Sequence, residues 1–238
     1  VEFITAKRDR QSLTNFNLSV AVTDKFMEAV LSGSDYELIN PRTGEVTSRL
    51  PARKVFDLIV EMAWDNGEPG VVFIDRINAS NPTPKIGRIE STNPCGEQPL
   101  LPYEACNLGS INLAKMVKPT DGGYEIDFEH LAEAVRVAIR FLDDVIDVNK
   151  YPLDIIAEKT RANRKIGLGV MGFADLLIML GIPYDSTEAV RIGESVMRFI
   201  RDRAREASAE LATQRGPFPN FEQSVYFERG DAPLRNAT

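Results

Sequence analysis

Residues 91–113 read STNPCGEQPLLPYEACNLGSINL. This stretch holds both cysteines of the chain, Cys95 and Cys106, and sets Asn93, Cys95 and Glu97 at alternate positions. In an extended chain that spacing points an amide, a thiol and a carboxylate to the same side. Pro94 lacks a ladder donor and Gly96 weakens a strand interior, which argues against a central sheet strand. Pro94 biases Asn93 towards extended backbone, and Gly96 lets the chain approach a ligand or neighbour closely. The expectation is a short, stiff loop, and the apolar run PLLPYEACNL places it inside the protein.

Two readings of this loop stand side by side. In one, Cys95 is a buried cysteine in a polar turn, and the short pattern N-x-C-x-E is a chance match. In the other, the loop does chemistry. Negative charge beside a thiol disfavours the thiolate, and no histidine lies close in sequence to act as a base, so ionic nucleophilic catalysis fits poorly. A neutral S–H suits hydrogen-atom transfer, with the carboxylate as base for a substrate hydroxyl and the amide orienting it.

The surroundings are those of an ordinary folded domain. The chain has 238 residues, 43% hydrophobic and 26% charged, enough for one sizeable core or two small domains. A formal charge of −7 argues against coating nucleic acid. No apolar run approaches the ~20 residues that span a bilayer, and no signal-peptide layout is present. Two cysteines and one histidine are too few for a Cys/His zinc site, and no metal site is expected. Sparse cysteine fits a reducing cytoplasm, where a nearby thiol pair is more often catalytic than structural. The chain opens on VEFITAKRDR and closes on DAPLRNAT, and it reads as a piece of a longer protein.

Working outward, residues 15–22 (NFNLSVAV) read as a strand. TDKFMEAVLSG reads as a helix with Thr23 or Asp24 as N-cap and Gly33 as stop. Pro41 and Gly44 suit a hairpin or loop. Residues 52–67 put Val55, Phe56, Ile59, Met62 and Ala63 on one helical stripe closed by Gly67. Residues 71–75 form a strand candidate. The clearest helix covers 127–148, with Phe128, Leu131, Val135, Ile139, Leu142 and Val145 on one face and His130 as a surface residue in its first turn. Further helices are expected at 153–164, 170–180 and 187–213, the last with Arg198 to Arg205 on a solvated face. Helix dominates, with a few apolar strands between, which predicts an α/β fold with buried, parallel strands.

GLGVMG, residues 167–172, matches G-x-G-x-x-G. A dinucleotide site needs those glycines to follow an apolar strand and open a helix. The preceding EKTRANRK is polar and charged, so a nicotinamide-binding oxidoreductase is the weaker reading. A glycine-rich helix start with close backbone packing is the stronger one.

The quoted stretch resembles the active-site segment of ribonucleotide reductases. Its form NPCGEQPLLPYE is most similar to the adenosylcobalamin-dependent (class II) enzymes; the large subunit of a class I enzyme, served by a metal-containing radical subunit, is the nearer rival. NFNLSVAVTDKFMEAV, PRTGEV, FDLIVEMAWDNGEPGVVFIDRIN, NRKIGLGVMGFADLL and LRNAT resemble successive stretches of the same family. The resemblance therefore covers most of the chain. It implies the central part of the family's ten-stranded α/β barrel, residues 1–238 being one part of that catalytic domain. It also implies reduction of ribonucleoside di- or triphosphates to 2′-deoxyribonucleotides.

By the same resemblance, Cys95 becomes a thiyl radical and takes the 3′-hydrogen of the ribose. Glu97 takes the 3′-hydroxyl proton, Asn93 hydrogen-bonds the substrate, and Pro94 and Gly96 complete the substrate-binding loop. Cys106 is one member of a redox-active pair. Adenosylcobalamin, the vitamin B12 coenzyme, is the implied cofactor, and enclosing the loop in a barrel shields the radical. Implied partners are a thioredoxin-type reductant, dNTP or ATP effectors bound elsewhere, and a second copy in a homodimer. The family places the partner of Cys106 upstream, and this chain has no third cysteine. The phosphate-binding loop is expected after LRNAT. The segment alone is therefore expected to turn nothing over. A non-catalytic α/β scaffold remains the contrasting alternative.

Overall fold

A computed structural model describes residues 1–237. The chain divides into two compact units, one formed by residues 1–81 and 88–102, the other by 82–87 and 103–238.

The first unit begins with the short helix α1 (Glu2–Thr5) and strand β1 (Ser19–Val22). Helix α2 (Asp24–Ser32) follows; the Thr23 side chain accepts from the Phe26 N–H and Gly33 ends the helix, as the cap residues indicate. Strands β2 (Asp35–Ile39) and β3 (Val46–Pro51) form an antiparallel hairpin around Pro41 and Gly44. Helix α3 (Ala52–Asn66) leads to β4 (Gly70–Phe73), the short α4 (Ile74–Ala79), and the two-residue strands β5 (Ser91–Thr92) and β6 (Pro99–Leu100). β1 and β4 pair in parallel, Ser19 opposite Gly70 through Val22 opposite Phe73. Parallel neighbours need a long crossover, supplied here by α2, the hairpin and α3. Two small cores hold the unit: Val22, Phe26, Ala29, Val30 and Ala52 in one, Ile4, Ile59 and Met62 in the other.

The second unit holds β7 (Asn107–Asn112), the hairpin β8 (Val117–Thr120) and β9 (Gly123–Ile126), and the long helix α5 (Phe128–Val148). Then come α6 (Asp154–Asn163), β10 (Ile166–Met171), α7 (Phe173–Leu180), α8 (Thr187–Arg215) and the short α9 (Val225–Glu228). β7 and β10 pair in parallel, Asn107 opposite Ile166 through Asn112 opposite Met171. Leu131, Val135, Ile139, Leu142 and Ile146 of α5 pack with Ile111, Ile166, Leu176, Val196 and Ile200 in one core. The buried stripe of α5 ends at Ile146 rather than Val145, because 3.6 residues per turn carry the face forward by one position. His130 is exposed. The arginines of α8 pair with nearby acids on its wet side, as in Arg203–Glu206. No helix among the described residues is long and apolar enough to cross a membrane.

Two expectations are corrected. The chain is mixed helix and strand, but its strands are not buried on both faces. α5 covers β7 and β10 on one side, while Leu108 and Met171 remain 47% and 54% exposed; in β1 and β4 only Val22 is buried. Helices cover one face of each pair, and among the described residues nothing in its own unit covers the other. Second, GLGVM is itself a strand, not the opening of a helix. Its glycines lie inside β10, and only Gly172 caps α7, at φ +71. A Cβ there would collide with Asn112 Oδ1, so the third glycine is required by packing between β7 and α7. The strand contains the glycines instead of preceding them, so the dinucleotide arrangement is not formed.

Candidate active site

Asn93, Pro94, Cys95, Gly96 and Glu97 form the tip of the β5–β6 hairpin. The backbone is not extended there. The Gly96 N–H donates to the Asn93 carbonyl at 3.1 Å, closing a turn, and Gly96 takes φ +90, a region open to glycine at little steric cost. The alternate-position argument for one-sided side chains therefore does not hold; a turn, not a strand, brings the three residues into one loop. Asn93 is the loop's clasp. Its N–H donates to the Gln98 carbonyl at 3.1 Å, and its side-chain Oδ1 accepts from the Gln98 N–H at 2.9 Å. The Asn17 side chain adds a hydrogen bond to the Pro94 carbonyl at 3.2 Å.

The loop is also not interior to this chain. Pro94, Cys95, Gly96 and Glu97 are exposed, and Asn93 is half-buried. The apolar residues after it do pack inward, Leu101 being buried, but the turn satisfies its own backbone and projects beyond them. Among the described residues Glu97 has no ion-pair or hydrogen-bond partner. Asn93 and Pro94 line a cleft of about 460 Å³ whose polar wall includes Asn15, Asn17, Ser19 and Thr92.

Cys106 belongs to the second unit. It is half-buried and directly precedes β7, and both cysteines are thiols. The residues around it form a polar cluster that sequence reasoning missed. Lys165 Nζ donates to Glu104 Oε2 at 2.7 Å, with both side chains buried. Asn163 Nδ2 donates to the other carboxylate oxygen at 2.7 Å, and Asn220 Nδ2 donates to Asn163 Oδ1 at 2.8 Å. The Ala105 N–H donates to Thr160 Oγ1 at 3.1 Å. No local pattern marks these residues, because the partners lie far apart in sequence and Arg164 and Lys165 read only as part of the charged approach to the glycine motif.

Beside it lies a second charged network. Asp143, fully buried on α5, accepts from Arg164 Nε at 2.8 Å, Arg235 Nε at 3.2 Å, Arg215 at 3.1 Å and Asn236 Nδ2 at 3.1 Å. Arg164 also grips Asp147 with two nitrogens, at 2.8 and 3.0 Å. Burial works against the Arg164 charge, but its hydrogen bonds to Asp147 and Asp143 outweigh that and push its pKa up. Those hydrogen bonds in turn hold Asp147 below the usual carboxylate range, against the opposing effect of burial. Arg235 and Asn236 of LRNAT are thereby fastened to α5; Thr238, the last residue of that run, lies outside the described residues.

Each unit thus sets a parallel strand pair beside helices, the first carrying Cys95 on a hairpin tip and the second Cys106 at the head of a strand, an α/β arrangement with two thiols. The chain belongs to the ribonucleotide reductase family: the model of that family's barrel domain matches residues 1–233. It is 55% identical over 237 residues to a vitamin B12-dependent ribonucleoside-diphosphate reductase of Mycobacterium tuberculosis, covering 99% of this chain and 33% of the relative. A protein of the same description from Thermoplasma acidophilum is 53% identical over 240 residues, covering 100% of this chain and 31% of the relative. A vitamin B12-dependent ribonucleotide reductase of Streptomyces coelicolor is 35% identical over 212 residues, 89% and 22% respectively. The chain thus spans about a third of the length of the first two relatives.

Proposed function

We propose that the protein carrying this chain reduces ribonucleoside diphosphates to 2′-deoxyribonucleotides by a thiyl-radical route that depends on adenosylcobalamin. The observation that carries this reading is the 55% identity, over nearly the whole chain, to a relative described as such a diphosphate reductase. In it, the two parallel strand pairs are parts of a ten-stranded α/β barrel. The uncovered strand faces and the exposed hairpin fit an enclosure completed by further chain.

Each residue then has a defined task. Cys95, as a thiyl radical, takes the 3′-hydrogen atom of the ribose, and Glu97 takes the 3′-hydroxyl proton. The 2′-hydroxyl leaves as water. Two thiols, Cys106 and a partner outside these 238 residues, give up two electrons and two protons and close to a disulfide. Cys95 then gives its hydrogen atom back to the 3′ position and is a thiyl radical again, and a thioredoxin-type dithiol reopens the disulfide. Because Asn93 Oδ1 is held by the Gln98 N–H, Nδ2 is the group left to hydrogen-bond substrate; Pro94 and Gly96 shape the loop around it. When bound, the cobalamin coenzyme supplies a carbon-centred radical that removes the thiol hydrogen.

The test uses the full-length protein with adenosylcobalamin, a dithiol and a ribonucleoside diphosphate, and no radical-generating subunit. Deoxyribonucleoside diphosphate is the expected product. Formation of product only with a metal-containing second subunit would move the protein to the class I enzymes, and no product in either case would favour the scaffold reading.

A further inference from the structure

The geometry points to the buried Glu104–Lys165 pair, with Asn163 and Thr160, as the device that positions the redox thiol of Cys106. This rests on the redox role proposed for Cys106. Cys106 is the residue before β7 and Lys165 the residue before β10, and the parallel register begins at the next pair, Asn107 opposite Ile166. Ahead of that register the chain leading to Cys106 is held by side chains: Glu104 takes hydrogen bonds from Lys165 and Asn163, both at 2.7 Å, and the Ala105 N–H is fixed on Thr160 at 3.1 Å. Asn163 is itself oriented by Asn220 at 2.8 Å. Tyr103, on the near side of Glu104, sits at φ +62, a costly conformation for a residue with a Cβ.

A purely stabilising role accounts poorly for this arrangement. Removing a lysine and a carboxylate from water is costly, and well-packed apolar residues of similar volume often serve stability as well or better. What an ion pair with defined hydrogen-bond directions supplies, and an apolar pair does not, is a fixed backbone path. Lys165, Glu104, Asn163 and Thr160 are positioning residues for a thiol that must meet its partner and the substrate at short range.

The test is made in the full-length, pre-reduced protein with adenosylcobalamin and substrate, reading single-turnover rate, KM and thermal midpoint. The double variant Glu104→Leu with Lys165→Met removes both charges while keeping bulk. It should keep the wild-type midpoint and KM while the single-turnover rate falls about 100-fold, the scale of a misplacement near 1 Å. Lys165→Arg, which keeps the pair, should recover most of that rate. A double variant that folds and turns over at the wild-type rate overturns the proposal. If the double variant does not fold, Thr160→Val decides it, removing only the acceptor of the Ala105 N–H: an unchanged rate there overturns the proposal equally. Cys106→Ser separates the two levels, since sustained turnover by that variant would refute the redox role itself, whatever the pair does.

Discussion

Cys95 and Cys106 sit in one short run of sequence, yet the two are held by different means. Cys95 rides on a hairpin tip closed by backbone hydrogen bonds and a single amide, with its loop in solvent. Cys106 follows a segment clamped by a buried ion pair and joined to a core that includes α5 and β10. The first arrangement sets the loop apart from the buried core, and the second sets Cys106 beside buried charged networks. Substitutions in the two places should therefore separate cleanly.

The largest effect is expected at Cys95. In the full-length protein, Cys95→Ser should abolish deoxyribonucleotide formation while substrate binding and the thermal midpoint stay at wild-type values, because the side chain is replaced by a near-isostere. Retention of most activity would remove the radical assignment and leave the scaffold reading. Binding and turnover are read separately, by equilibrium binding of the substrate and by product analysis.

Next comes a contrast in stability. Asp143→Ala leaves Arg164, Arg215, Arg235 and Asn236 facing an empty acceptor site in a buried place. Breaking such a network by removing one partner typically costs about 3–5 kcal/mol. Glu97→Gln changes an exposed side chain with no partner among the described residues, and should stay within about 0.5 kcal/mol. Urea unfolding of this chain measures both. Equal losses at the two positions would break the comparison drawn between the hairpin and the buried charged networks of the second unit.

Much of the fold was legible because it is local. The three-and-four spacing on α5, the caps Thr23 and Gly33, and the long run of α8 each announce an element through neighbours a turn apart. What escaped depends on distant partners. Ile166–Met171 could not be read as a strand from its charged approach, since Arg164 and Lys165 are buried only because Asp143 and Glu104 reach them from elsewhere in the chain. β7 was hidden too: NLGSIN has little apolar content, and Gly109 lies against Leu142 of α5. At the candidate site, the residue types of the loop were visible in sequence but its shape was not. Gly96 turns the chain where an extended path was expected, so the three side chains share a turn and not one face of a strand. Within this chain the tip of that loop is exposed although Leu101 packs inward, because apolar neighbours in sequence do not show on which side of a turn they pack.

The smallest effect concerns acid. Hydrogen bonds from Arg164 hold the Asp147 carboxyl below its usual range, with the charges of Arg164, Arg235 and Arg215 adding to them. A carboxyl whose folded pKa lies below its unfolded value stabilises the fold fully above the unfolded value, about pH 4. That contribution is lost as pH falls further through the folded value. Asp147→Asn removes it at every pH. The stability gap between wild type and Asp147→Asn should thus be constant from neutral pH down to about pH 5 and should close below about pH 4. Asp147 is 48% exposed, so water and salt screen the pair, and the gap at neutral pH should be no more than about 1 kcal/mol and smaller in high salt. Urea midpoints of the two chains across that range measure it. A gap that stayed open at pH 2 would mean that Asp147 acts through packing and not through its charge.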